Sequence, residues 1–79
     1  MKVFEEKGVR KYLLKRNLIA QYKRIKQNFE DGCYQQIQLK KRQPKELGEL
    51  QFRISKKYRA YGYFKDADTF IVTEISDHQ

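Results

Sequence analysis

Leu50-Gln51-Phe52-Arg53-Ile54-Ser55-Lys56-Lys57-Tyr58-Arg59-Ala60-Tyr61-Gly62-Tyr63-Phe64 is the stretch whose reading decides the fold. Leu50, Phe52 and Ile54 alternate with Gln51, Arg53 and Ser55, the period of two expected of a half-buried strand. Ser55-Lys56-Lys57 reads as a turn. From Tyr58 the alternation resumes, with Arg59, Tyr61 and Tyr63 on one face and Tyr58, Ala60, Gly62 and Phe64 on the other. This predicts two antiparallel strands with an apolar face and a basic, aromatic one. Arg53 points away from the apolar face, and a suitable register brings it close to Arg59.

On the C-terminal side, Lys65-Asp66-Ala67-Asp68 reads as a turn. Thr69 to Ile75 is rich in β-branched residues and reads as a further strand. On the N-terminal side, Ile37 and Leu39 alternate with Gln36, Gln38 and Lys40. This predicts an edge strand from Tyr34 to Arg42 that Pro44 ends. The Lys40-Lys41-Arg42 run suits either a solvated edge that discourages aggregation or a surface facing RNA.

Before the sheet, the period changes to that of a helix. Val9, Tyr12 and Leu13 form one apolar stripe, and Leu18, Ile19, Tyr22, Ile25 and Phe29 form a second. Asn17 separates them as a cap or break, and Gly32 suits the left-handed residue that follows a helix. Met1 to Phe4 has room for a very short strand. The expected fold class is α+β: an N-terminal helical hairpin packed on a C-terminal antiparallel sheet of about four strands, all in one domain over residues 1–79.

A chain of 79 residues has a thin core, since a domain this small buries only about 60% of its unfolded surface. The 6 Tyr and 5 Phe supply bulk for that core. The net charge is +8, and it is unevenly placed. Residues 1–48 hold 13 Lys/Arg against 5 Asp/Glu, whereas residues 49–79 hold 5 against 5. Such an excess favours a phosphate-rich partner, with a soluble basic surface as the plainer alternative. Cys33, the single cysteine, has no partner for an internal disulfide and reads as a small semi-buried residue in a cytoplasmic protein. No apolar run is long enough for a membrane span, so no membrane partner is expected. One His and one Cys far apart in sequence make no arguable metal site, and no glycine loop cradles a phosphate.

The succession of helical hairpin, basic strand, Leu47-Gly48-Glu49-Leu50-Gln51-Phe52-Arg53-Ile54 and Tyr58-Arg59-Ala60-Tyr61 before an acidic turn resembles the RelE/ParE toxins of bacterial and phage toxin–antitoxin systems. The tail Ile75-Ser76-Asp77-His78-Gln79 is similar to tails in which some ribosome-dependent members keep a His. The first strand is shorter than the family's, and many members continue beyond the position of Gln79.

The resemblance implies a ribosome-dependent mRNA endoribonuclease that works without metal or other cofactor, uses the substrate 2′-OH as nucleophile, and is held inactive by a cognate antitoxin. Its catalytic candidates are Arg59 and Arg53 for the phosphate, His78 for proton transfer, and Tyr61. Asp77 is a weaker candidate for orienting His78. Tyr63 would stack on a base, Lys40, Lys41, Arg42 and Lys45 would extend the positive field, and Lys11, Lys15, Lys23, Arg24 and Lys26 would meet ribosomal RNA. A gyrase-directed, ParE-like relative and a non-catalytic RNA- or protein-binding member of the fold are the alternatives.

Overall fold

The computed structural model describes residues 1–33, 37–41 and 48–77. The chain runs β1 (Lys2–Glu5), α1 (Val9–Lys15), α2 (Ile19–Glu30), β2 (Lys40–Lys41), β3 (Leu50–Arg53), β4 (Arg59–Asp66) and β5 (Thr69–Ser76). The helical hairpin packs on one face of the sheet, as expected. The sheet itself has five strands in the order β1-β5-β4-β3-β2 and is mixed, not a four-stranded antiparallel meander. The difference is β1, which lies parallel to β5 with Val3 beside Phe70 and Phe4 beside Ile71. Pairing with a strand far along the chain leaves no local pattern, so alternation in four residues does not disclose it.

The helices form where their stripes predict. Asn17 sits between them at φ 60° as a break, while the residue flanking α2 is Leu18, with no side-chain cap. Gly32 takes the left-handed conformation at φ 83°. Cys33 just beyond it is exposed, a correction to its expected partial burial. Its backbone N–H closes the helix end on the Asn28 carbonyl at 2.9 Å, so Cys33 belongs to the helix terminus and not to a strand packed on the core.

The expected strand from Tyr34 is only partly observed. Lys40–Lys41 pairs with β3, whereas Gln38, at φ 56°, lies in a turn that breaks the alternation. Residues 34–36, 42–47 and 78–79, which include Arg42, Pro44, Lys45 and His78, lie outside the described residues.

The core lies between helices and sheet. Val9, Leu13, Leu18, Tyr22 and Phe29 from the helices meet Val3, Phe52, Ala60, Phe70, Val72 and Ile75 from the strands. The β4–β5 turn is tied by the Asp66 carboxylate, which accepts the Asp68 backbone N–H at 2.9 Å. That bond holds the Asp66 pKa below its ordinary value. No helix among the described residues is long and apolar enough to cross a membrane.

A partly buried polar knot joins the two layers. The Tyr22 hydroxyl donates to Glu5 Oε2 at 2.6 Å, and Lys26 Nζ reaches the same oxygen at 2.9 Å. Burial, followed by the hydrogen bond to Glu5, pushes the Tyr22 phenol well above its ordinary 10.0. In the unfolded chain the phenol ionises near pH 10, while in the folded chain it keeps its proton. Above that pH the unfolded state therefore binds fewer protons and stability falls, by up to about 1.4 kcal/mol per pH unit. Urea midpoints at pH 8 and pH 11 should show a steeper alkaline loss for wild type than for Tyr22→Phe. Equal losses would remove Tyr22 as the cause.

Candidate nucleic-acid interface

The helices cover one face of the sheet and leave the other to polar and aromatic side chains. Register assigns the residues of this second face: Gln51 lies beside Tyr61 and Arg53 beside Arg59, and Lys40 lies beside Gln51. Arg53 and Arg59 are thus direct cross-strand neighbours, the arrangement that the alternation permits but does not fix. Like charges directly opposite one another in a sheet are destabilising, by a few tenths of a kcal/mol to about 1.

The two arginines are positioned differently. Arg53 Nε donates to the Ser55 carbonyl at 3.1 Å, which ties its guanidinium to the β3–β4 turn. That turn is closed by Ile54 N–H on the Tyr58 carbonyl at 3.0 Å and by the Ser55 hydroxyl, which accepts the Tyr58 N–H at 3.2 Å. Arg59 begins β4, half-exposed. Its cross-strand neighbour on β5 is Ser76, while Glu74 lies beside Tyr61.

Around the pair, Gln38, Lys40, Gln51 and Phe52 complete a notch of about 10 Å³, near the space of one water or one phosphate oxygen. A shallower groove of about 280 Å³ adjoins it, lined by Ile25, Gln38, Arg53, Ile54, Ser55 and Lys56. Gln38, Gln51 and Lys56 were not singled out from sequence. Gln51 was legible, since it shares the alternation phase of Arg53; Gln38 enters through a turn conformation that no motif signals.

The other candidate residues separate in space. Tyr63 lies on the open sheet face and is exposed. Tyr61 shares that face by register but is only 5% exposed, so its ring is not offered to a ligand in this conformation. Lys41 lies beside Leu50, on the opposite phase from Lys40. Lys11, Lys15, Lys23 and Arg24 are exposed on the helices, in the other layer from Arg53 and Arg59. Lys26 belongs to the Glu5 knot instead, with its side chain 28% exposed. The candidate cations are therefore divided between the helix layer and the sheet strands. Asp77 lies 3.9 Å from Lys57 Nζ at an exposed position, a contact worth little.

No protein-family model matches the chain, and no curated protein matches it in sequence.

Proposed function

We propose that the chain is an RNA-directed toxin of the RelE/ParE type: a ribosome-dependent mRNA endoribonuclease whose helix-free sheet face holds the backbone of the message. The observation that carries this reading is the cross-strand Arg53–Arg59 pair, with Lys40 on the same face. A fold that places two guanidiniums side by side at some cost to stability fits a site built for an anion. The two-helix hairpin on a five-stranded mixed sheet is compatible with the family resemblance.

In the proposed reaction the 2′-oxygen attacks the adjacent phosphorus, the bond to the 5′-oxygen breaks, and a 2′,3′-cyclic phosphate and a 5′-hydroxyl result. Arg59 and Arg53 stabilise the charge that builds on the phosphate oxygens. His78 is assigned proton transfer, as the side chain whose ordinary pKa lies nearest neutrality. Lys11, Lys15, Lys23 and Arg24 are assigned to ribosomal RNA from the helix layer, with an antitoxin as the controlling partner in the cytoplasm. The burial of Tyr61 favours a second reading, a non-catalytic RNA-binding member, because it withdraws one of the catalytic candidates.

Inducible expression of wild type and Arg59→Ala in bacteria, with mapping of mRNA 5′ ends, tests the proposal. Codon-phased cuts should accompany growth arrest in wild type and fall at least about 100-fold in the variant, on the scale of losing a group that stabilises transition-state charge. Stability should hold, or rise by a few tenths of a kcal/mol as the like-charge contact is relieved. Unchanged messages with wild type would sink the endonuclease claim, and a DNA-damage response in its place would indicate a gyrase-directed relative.

A further inference from the structure

The open sheet face has a second feature at the end away from the arginines. Phe4 on β1 lies beside Ile71 on β5, and Ile71 lies beside Tyr63 on β4. The three form one row across three adjacent strands. Phe4 is 50% exposed and Tyr63 is 38% exposed, unusual values for large rings in a domain with so few core residues to spare. Neither ring belongs to the cluster under the helices.

The geometry points to a base-stacking platform: we infer that Phe4 and Tyr63, with Ile71 between them, take unpaired bases of a single-stranded RNA whose phosphates continue to Arg59 and Arg53. This rests on the RNA-directed reading above and adds a subsite to it. Adjacent strands lie about 4.8 Å apart, so the two rings are separated by about 10 Å. Tyr63 and Arg59 are four residues apart on β4, about 13 Å at about 3.3 Å per residue. That is under four nucleotides at a stacked rise of about 3.4 Å. An exposed aromatic row on a sheet, followed by cations along the same face, is the arrangement by which sheet surfaces hold single strands: rings meet bases and guanidiniums meet phosphates.

Rings and cations occur together along the face and favour this occupant. Lys2 and Lys65, each two residues from a ring on its own strand, are exposed at the aromatic end, and Arg53 and Arg59 lie at the other. Every nucleotide of a single strand laid here brings both a base for a ring and a phosphate for a cation, whereas an anionic lipid surface or an acidic protein segment brings charge without a base to stack on Phe4 and Tyr63.

The test compares a uridylate dodecamer with an abasic oligomer of equal length and phosphate number, by anisotropy at low salt. Wild type should bind the base-bearing strand at least about fivefold more tightly, the lower end of the stacking range for one base. Phe4→Leu with Tyr63→Leu keeps apolar bulk and should bring that ratio close to one with little change for the abasic strand. Arg53→Gln with Arg59→Gln should weaken both strands about tenfold or more. The chain has no Trp, so Tyr63→Trp provides a lone reporter whose emission the uridylate strand should quench and the abasic strand should not. A wild-type ratio near one, or a ratio that survives the double Leu change, overturns the platform and leaves the arginine site standing. Binding of neither strand overturns both. Preferential quenching by anionic vesicles would assign the row to a membrane instead.

Discussion

Phe29→Ala should remove about a third or more of the stability of this domain. Phe29 is 0% exposed and sits where α2 meets the middle of the sheet. Its ring centroid lies 5.5 Å from that of Phe52, 4.9 Å from that of Phe70 and 6.1 Å from that of Phe64. Truncation of a buried Phe costs about 3–5 kcal/mol, from lost transfer energy and from the cavity left behind. A chain of 79 residues at about 0.05–0.15 kcal/mol per residue holds only about 4–12 kcal/mol in all. The expected result is a urea midpoint lowered by a third or more, with partial unfolding at physiological temperature. A loss under about 1 kcal/mol would mean that the four rings are not the centre of the core.

Gly62→Ala should be nearly as damaging, although it adds only one methyl group. Gly62 is buried on β4, opposite Val72 at an irregularity in the β4–β5 ladder. A Cβ there would overlap the Ile71 carbonyl oxygen and come within 2.7 Å of the Phe70 ring. Neither neighbour has an easy escape, because one is backbone in a paired strand and the other is 0% exposed. Overpacking of this kind costs about 1–3 kcal/mol, and the upper end is expected where the obstruction is main chain. The denaturation midpoint measures the cost, and hydrogen exchange locates it: protection should fall first at the β4–β5 amides. A neutral result would show that the sheet relaxes around residue 62 at little cost.

Much of this fold was legible because it is written in local periods. The alternation from Leu50 to Phe64 placed Phe52, Ala60 and Gly62 inward and Arg53, Arg59 and Tyr63 outward, as observed. The helical stripes placed Leu13, Leu18, Tyr22 and Phe29 in the core. What was not legible depends on partners distant in sequence. Lys23 and Lys26 look alike in the sequence of α2, yet only Lys26 finds Glu5, a residue of β1. Arg53 and Arg59 were known to share a face, but their direct opposition is a matter of register, set by the turn at Ser55–Tyr58 and by packing at both ends of the hairpin. Tyr61 has the phase of an exposed residue and the burial of a core one, because phase decides direction and the surroundings decide exposure. The charge count could not tell how the cations divide between helices and sheet.

The position of β1 carries a consequence for how the molecule comes into being. Lys2 pairs with Thr69, a separation of 69 − 2 = 67 residues, so β1 has no place to dock until β5 has been translated. Contacts this remote are slow to form, since a long loop must close before any gain is realised. Waiting also has a structural form: in the finished fold Glu30 Oε2 accepts the Val3 backbone N–H at 3.0 Å and so plugs an edge that would otherwise invite a foreign strand. Phe4, half of the inferred platform, therefore reaches its place beside Ile71, and so in one row with Tyr63, only once β5 has been made. A nascent chain with its arginine hairpin already formed would still lack the complete surface until β5 is in place.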